Sequence, residues 1–342
     1  LPEVRVDPLS GHKTIVAGER SRRPGGEPRC PAATPIDSER DPFAEGNEQR
    51  TPPELYALRP HGGEANGPGW SVRVVPNLYP ALLPPAAPLA PGDESESAAN
   101  VPDARPELYS ARPATGWHEV IINGPQPVQS LAELPLQQVQ IAVQTWRERM
   151  RLHASQSAYV QLIVNERREG GASLEHTHAQ LYALPWVPAE VARERERAGA
   201  YATRTMGGDL LGDLVAEEVR RRERIVAIDD EAVLMAPWAS RVPFQLMLAP
   251  RRPRPRFEDE PSDTLGAALL HDALRRLCTY FDTSPPLNLW VRTAPRGVER
   301  MCWRIDIMPR LTHLAGLELS TGVNLNIVAP EDAAARLREA GG

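Results

Sequence analysis

Lysine is almost missing from this chain: Lys13 is the single lysine among 39 basic residues, and the rest are arginine. Cysteine is scarce too. Cys30, Cys278 and Cys302 are the only three in 342 residues and lie far apart, which excludes a disulfide scaffold and an all-cysteine zinc site and points to a reducing, cytoplasmic setting. No apolar run approaches the ~18 residues of a membrane span. Leu1 to Ser10 shows no charged segment leading into an apolar one, so no signal peptide is expected. The net charge of −6 argues against a bulk nucleic-acid or membrane binder, and an anionic substrate would have to be held by local arginines. What remains is ordinary for a globular protein: 41% hydrophobic and 25% charged residues. The length suggests two domains, at roughly 150 residues each. The high proline count, 36, and the arginine excess read mainly as codon bias.

Residues 1–59 are rich in Pro, Gly and Arg and would pass for a disordered tail. Strands are expected at 70–76, 118–122, 159–164 and 178–184. Between the second and third lies a helix: Ser130 and Glu133 have capping-box spacing, Pro135 suits a first turn, and Leu136, Val139, Val143, Trp146 and Met150 form one apolar stripe. Residues 83–107 read as a loop, and 188–228 as a charged, solvated helical connection. The order strand, strand, helix, strand, strand then recurs, with strands at 232–235, 244–248, 287–292 and 303–308 around a helix at about 263–281, and a last helix starts near Pro330. The fold class is α/β (α+β), with two similar domains, 1–198 and 199–342, each a mainly antiparallel sheet with packed helices.

The sharpest feature is Gly170-Gly-Ala-Ser-Leu-Glu-His-Thr-His-Ala-Gln180. On a strand, the two-residue spacing puts His176, His178 and Gln180 on one face. Gly171 and Ser173 precede them in a turn whose N–H groups can face an anion. A neutral imidazole can attack phosphorus to give a covalent phosphoramidate, its other nitrogen held as N–H by a carbonyl. An amide such as Gln180 can donate to oxygens that gain charge. Two other readings stand beside this one, a surface strand with incidental histidines and a zinc site, though His-x-His alone supplies too few ligands.

The segment resembles the His-x-His-x-Gln strand of the galactose-1-phosphate uridylyltransferase family, a branch of the histidine-triad superfamily. Similar segments run in order along the chain: Arg5 to Gly11 with Ile15 to Pro24, Asp41 to Glu48 with Thr51 to Glu54, Trp70 to Leu82, Gly116 to Ile122, Ile305 to Thr312 and Ala315 to Gly322. The resemblance is strongest to the branch that includes ADP-glucose-type phosphorylases. It implies two histidine-triad-like domains and a ping-pong nucleotidyltransferase in which His178 attacks a nucleotide sugar, UDP-glucose in the family's default reaction, and a hexose 1-phosphate then takes the nucleotide. It also implies catalytic roles for Gln180, Ser173 and His176. Substrate contacts are implied for Arg20, Arg23, Asn77, Asn165, Asn324 and Asn326, and a homodimer for the assembly. Two alternatives stay open: a nucleotide-sugar or dinucleotide phosphorylase, with phosphate as acceptor, and a non-catalytic nucleotide-binding protein.

Departures from the family bear on metals. Its zinc-binding Cys-x-x-Cys pair is replaced by Asp41 and Ala44, while His118 and His176 stand at the other two ligand positions. Zinc on His118, His176 and Asp41 is therefore the one cofactor implied, at a degenerate site that is either weakened or lost, and no organic cofactor is expected. The His-x-His pair of the family's second metal site reads Cys302-Trp303-Arg304, while Glu194 matches the position of that site's carboxylate. No iron-like site is expected there, since an arginine would itself take the cation's place. Thr177 replaces the motif's usual proline, and Glu175 either orients an imidazole or faces solvent.

Overall fold

A computed structural model describes residues 1–23, 28–85, 108–109 and 111–341. Most of the loop expected at 83–107 lies outside the described residues. The chain opens with β1 (Glu3–Val6) and β2 (Lys13–Val16), followed by β3 (Tyr56–Leu58), β4 (Val72–Pro76) and β5 (Trp117–Ile122). Helix α1 (Leu136–Ala154), β6 (Tyr159–Glu166) and β7 (His178–Leu184) complete a first unit. Helices α2 (Ala189–Arg204) and α3 (Leu210–Arg221) lead to β8 (Ile225–Ile228), β9 (Ala232–Met235), β10 (Leu246–Pro250), α4 (Ala267–Phe281), β11 (Leu287–Arg292) and β12 (Arg304–Pro309). The end is α5 (Gly316–Thr321), β13 (Asn324–Asn326) and α6 (Pro330–Glu339).

Ten strands form one sheet in the order β3-β4-β5-β7-β6-β11-β12-β10-β9-β8. Read inward from either edge the order is the same: three strands in sequence, then the last two swapped. The repeat expected from the sequence is thus real, but its halves share a sheet rather than standing as separate domains. They join where β6 pairs antiparallel with β11, Ile163 opposite Trp290. A boundary at 198 falls inside α2, and the sheet is continuous across it.

Alternation fixes the faces. Val160, Leu162 and Val164 of β6, with Ala179, Leu181 and Ala183 of β7, are buried in the main core. There they meet Val139, Val143, Trp146 and Met150 of α1 and Leu270, Leu274 and Leu277 of α4. The expected stripe on α1 holds except at Leu136, which is 39% exposed. The Ser130–Glu133 capping box is present, one turn earlier than α1 itself. The residues between these core positions face the other way. At the β7 end that second face presents Val75, Val120 and Ile122, clustered with Phe43 and Trp70. Under α2 and α3, Val191 and Ala198 pack in one cluster and Leu9, Leu211 and Val215 in another.

Two expectations are corrected. The N-terminal stretch is not a disordered tail over its described part: β1 and β2 form a three-stranded sheet with β13. Alternation over four residues was too short a signal, since the partner β13 lies some 300 residues away. The 188–228 region is not wholly solvated either, because Glu194 and Glu218 are buried, each against an arginine.

Candidate functional site

Between β6 and β7 the chain reverses through two left-handed residues, Arg167 (φ 64°) and Gly171 (φ 90°). Arg167 is committed to structure: its guanidinium donates to the carbonyls of Pro31, Ala32 and Ser284 at 2.7 to 2.9 Å. Gly170 passes so close to β11 that a Cβ would lie 2.7 Å from the Leu287 carbonyl oxygen. Ser173 sits exposed in this turn. The chain then enters β7 through His176 and Thr177. The Thr177 N–H donates to Val128 O at 2.8 Å, a bond that the family's proline has no N–H to make.

His178 opens β7 on the face away from the core. Its Nδ1 donates to the His176 carbonyl at 2.7 Å, so the lone pair of a neutral ring sits on Nε2, for which the described residues supply no hydrogen-bond partner. Burial is the main influence on its pKa and pushes it below the usual histidine range; the ring is therefore neutral at pH 7. Phe43 packs edge-on against it at 5.1 Å and against His176 at 6.2 Å.

Gln180, two residues on, shares this face. Its Oε1 accepts from Tyr182 Oη at 2.9 Å and from His118 Nε2 at 3.1 Å. Asn165 of β6 shares it too, because Ile163, two residues before it, lies opposite Gln180. Asn165 Oδ1 accepts from Asn288 Nδ2 at 2.8 Å. The structure thus brings together His178, Gln180 and Asn165 below the turn of Ser173. Sequence reasoning missed Tyr182 and Asn288. Tyr182 continues the two-residue spacing of the motif and was readable, whereas Asn288 reaches the site only through the β6–β11 pairing.

The implied zinc ligands do not converge. His176 and Asp41 meet, Nδ1 to Oδ2 at 2.6 Å, and His176 Nε2 faces Gly124 O at 2.8 Å. Both ring nitrogens face oxygen atoms of the protein rather than a shared metal position. His118 pairs across β5–β7 with Tyr182, six residues along from His176, on the order of 20 Å at strand rise. It stacks on the Tyr182 ring at 4.1 Å, and its Nδ1 accepts from the Ala81 N–H at 3.1 Å. Ala44 has no ligand atom. Among the described residues no three His, Cys, Asp or Glu side chains are grouped to hold a metal. Asp41, His176 and His118 do not fit zinc.

The substrate-contact residues separate as well. Asn77 lies beside His118, its Nδ2 3.2 Å from Nε2, but its Oδ1 closes a turn on the Tyr79 N–H. Asn326 is buried and fully used: its Nδ2 donates to Ser240 O and Val242 O, and its Oδ1 accepts from Val328 N. It is a structural residue, not a substrate contact. Asn324 belongs to the same strand, and Arg20 and Arg23 follow β2 beside it. That small sheet is anchored on the loop before β10 through Thr14 and Asn326. Strand β10 is four strands from β7, about 19 Å at normal strand spacing. The structure does not place these residues against His178. Glu175 meets Gln129 and Arg168 rather than an imidazole.

At the other end of the same face, Arg304 opens β12 as His178 opens β7, and Asp306 stands where Gln180 does, opposite Trp290 as Gln180 is opposite Ile163. Arg304 binds Glu194 through both terminal nitrogens at 2.9 and 3.0 Å and Asp306 through Nε at 2.9 Å. Arg292 lies 3.5 Å from Glu194. Burial alone would raise the Glu194 carboxyl, but Arg304 and then Arg292 outweigh it and hold it at about 2. The guanidinium occupies the place facing that carboxylate.

The profile described as the N-terminal domain of galactose-1-phosphate uridyl transferase matches residues 1–188. A second profile, described only as a domain of unknown function, matches 136–340. An ADP-glucose phosphorylase of Arabidopsis thaliana is 28% identical, over 99% of this chain and 93% of its own. A galactose-1-phosphate uridylyltransferase of Cryptococcus neoformans is 27% identical, over 98% and 89%. The crystal structure of an Arabidopsis ADP-glucose phosphorylase with bound ADP-glucose superposes with a TM-score of 0.78 at 26% identity, covering 99% of both chains. A uridylyltransferase structure does so with 0.72 at 25% identity, covering 100% of this chain and 98% of its own. With a profile spanning more than half its length and the His176-x-His178-x-Gln180 segment in place at the start of β7, the chain belongs to the galactose-1-phosphate uridylyltransferase family of nucleotidyltransferases.

Proposed function

We propose that the protein transfers a nucleotide from a nucleotide sugar through a covalent nucleotidyl-His178. The observation that carries this reading is the His178 ring itself: neutral, with Nδ1–H committed to the His176 carbonyl and Nε2 unclaimed among the described residues. Nε2 attacks the α-phosphorus. The N–P bond forms, the bond to the bridging oxygen breaks, and sugar 1-phosphate leaves with the electron pair. The positive charge that develops on the ring is shared with the carbonyl at Nδ1. Gln180 and Asn165 donate to the non-bridging oxygens. An acceptor phosphate oxygen then attacks the same phosphorus and returns the imidazole to its neutral form.

Within this reading, ADP-glucose as donor with inorganic phosphate as acceptor is favoured by the whole-chain likeness to the Arabidopsis ADP-glucose phosphorylase. UDP-glucose with a hexose 1-phosphate is the second reading, supported by likeness to the Cryptococcus uridylyltransferase. A homodimer belongs to the same proposal and is checked by light scattering. The test is to incubate the protein with labelled ADP-glucose or UDP-glucose without acceptor. Acid-labile label on protein that is absent from His178→Ala is the expected result, and phosphate or hexose 1-phosphate added afterwards identifies the acceptor by which one discharges it. Failure of both donors to label rejects the reading.

A further inference from the structure

We propose that His118 and Asn288 are positioning residues that set the polarity of the two amides beside the nucleophile, so that Gln180 and Asn165 both turn NH2 groups toward the transferred phosphoryl. The inference rests on the nucleotidyl-transfer reading and goes past it to residues that never touch substrate.

An amide side chain can present its oxygen or its nitrogen, and only the nitrogen helps an oxyanion. Which one faces the site depends on its neighbours, and here each neighbour, His118 and Asn288, is held by a backbone group. The Ala81 N–H donates to His118 Nδ1 at 3.1 Å. Asn77 Nδ2 also approaches Nε2, at 3.2 Å; we take the nearer, main-chain donor to decide the tautomer, so that Nδ1 accepts and the proton sits on Nε2. That proton is donated to Gln180 at 3.1 Å, so the atom received there is Oε1. The Tyr182 hydroxyl supplies a second donor to the same oxygen at 2.9 Å, and the His118 ring is held by stacking on Tyr182. The Gln180 NH2 group is left pointing away from both.

The second relay runs from the other half of the sheet. The Gly170 carbonyl accepts from Asn288 Nδ2 at 2.5 Å, which tells nitrogen from oxygen in the Asn288 amide. The other Nδ2 hydrogen goes to Asn165 at 2.8 Å, so Asn165 offers Oδ1 to it and keeps its own NH2 for the site. Asn288 sits directly opposite Asn165 in the β6–β11 register. One side chain therefore sets an amide dipole and ties down the turn carrying Ser173. It is also the means by which the second half, without a nucleophile of its own, acts on the first.

The test compares wild type, Asn288→Leu (similar size, no donor), Asn288→Ser (a hydroxyl donor restored) and His118→Ala. Nucleotide transfer to His178 is followed in single turnover with labelled ADP-glucose and UDP-glucose, beside melting temperatures and AMP affinity by calorimetry. A donor that serves mainly the transition state changes rate more than binding. The expected result is a ten- to hundredfold slower transfer in Asn288→Leu and His118→Ala, at or below roughly the hundredfold lower end of what losing an oxyanion donor outright costs. KM should change less than about threefold, and Asn288→Ser should recover part of the rate. Wild-type rates in both Asn288→Leu and His118→Ala would overturn the proposal. So would equal losses in Asn288→Leu and Asn288→Ser that follow their melting temperatures. If wild type itself forms no adduct, the transfer reading fails separately. The relay is then judged by AMP affinity, which must weaken in Asn288→Leu but not in Asn288→Ser for it to stand.

Discussion

The two halves of the sheet repeat one strand order and end in opposite chemistry at the same place. Where β7 begins with His178 and continues to Gln180, β12 begins with Arg304 and continues to Asp306. His178 keeps one ring nitrogen without a partner among the described residues. Arg304 has all three guanidinium nitrogens engaged by Glu194 and Asp306. If His178 is the nucleophile proposed above, the comparison teaches that a reactive position in this fold is made by leaving a polar atom unsatisfied. The same position becomes structural once its hydrogen bonds are closed internally.

The largest test of this contrast is at the nucleophile. His178→Ala should abolish adduct formation and lower turnover by on the order of 10⁴-fold or more, as losses of a covalent nucleophile do. Its melting temperature should stay near wild type, since the ring makes one backbone hydrogen bond. Arg304→Met should do the reverse. It leaves Glu194 and Asp306 buried without their cation, a loss of about 3–5 kcal/mol read as a lower denaturant midpoint, while the surviving folded protein still labels at His178. If Arg304→Met loses adduct formation without losing stability, the two ends of the face are not chemically separate.

How far this was legible in the sequence differs between the ends. The strand repeat and the His176-x-His178-x-Gln180 face are local patterns, readable because alternation with period two survives in any tertiary setting. The arginine facing Glu194 was also readable, through the positions of the family's second metal site together with the sign of its charge. What stayed hidden depends on register between distant strands. The family resemblance put His118 at a ligand position beside His176, but the antiparallel β5–β7 register carries it to Tyr182 instead. Asn326 read as a polar strand residue open to substrate, and only the docking of β13 on residues 240–242 shows that its amide is spent. The single Cys-to-Asp change at position 41 gave the type of group but not its partner, which is one histidine and no third ligand.

The halves should also separate by pH. Glu194 is held at about 2 in the folded state, below its unfolded value, so its contribution is full above about pH 4.5 and is lost as pH falls toward 2. Glu166, at the end of β6, behaves oppositely. It is 1% exposed, burial raises it to about 7, and its Oε2 has no hydrogen-bond partner. A raised carboxyl favours the fold at low pH and loses that advantage as pH rises from about 4.5 through 7, a cost of about 3 kcal/mol once ionised. Glu166→Gln should therefore raise the melting temperature at pH 8 relative to wild type and do much less at pH 5. An equal shift at both pH values would show that the residue is not neutral in the fold.

The smallest expected effect is that of removing metal, and it bears on both halves at once. In the second half the place facing Glu194 is filled by a guanidinium that needs no loading. In the first, His176 is held by Asp41 and by the Gly124 carbonyl, and its own carbonyl holds the nucleophile. A metal in either place would have to displace a hydrogen bond already made, with too few further ligands to offset the loss. Protein purified without added chelator should contain well under stoichiometric zinc by elemental analysis. Prolonged chelation should shift its melting temperature by less than about 1 °C, well below the 2–4 °C that ~1 kcal/mol commonly produces in a chain of this order of size. Asp41→Asn supplies the control, because it keeps the shape at position 41 but replaces the carboxylate that His176 faces. If the chelated wild type melts as low as Asp41→Asn and recovers when zinc is returned, position 41 works as a metal ligand and the hydrogen-bonded arrangement at His176 is not its working state.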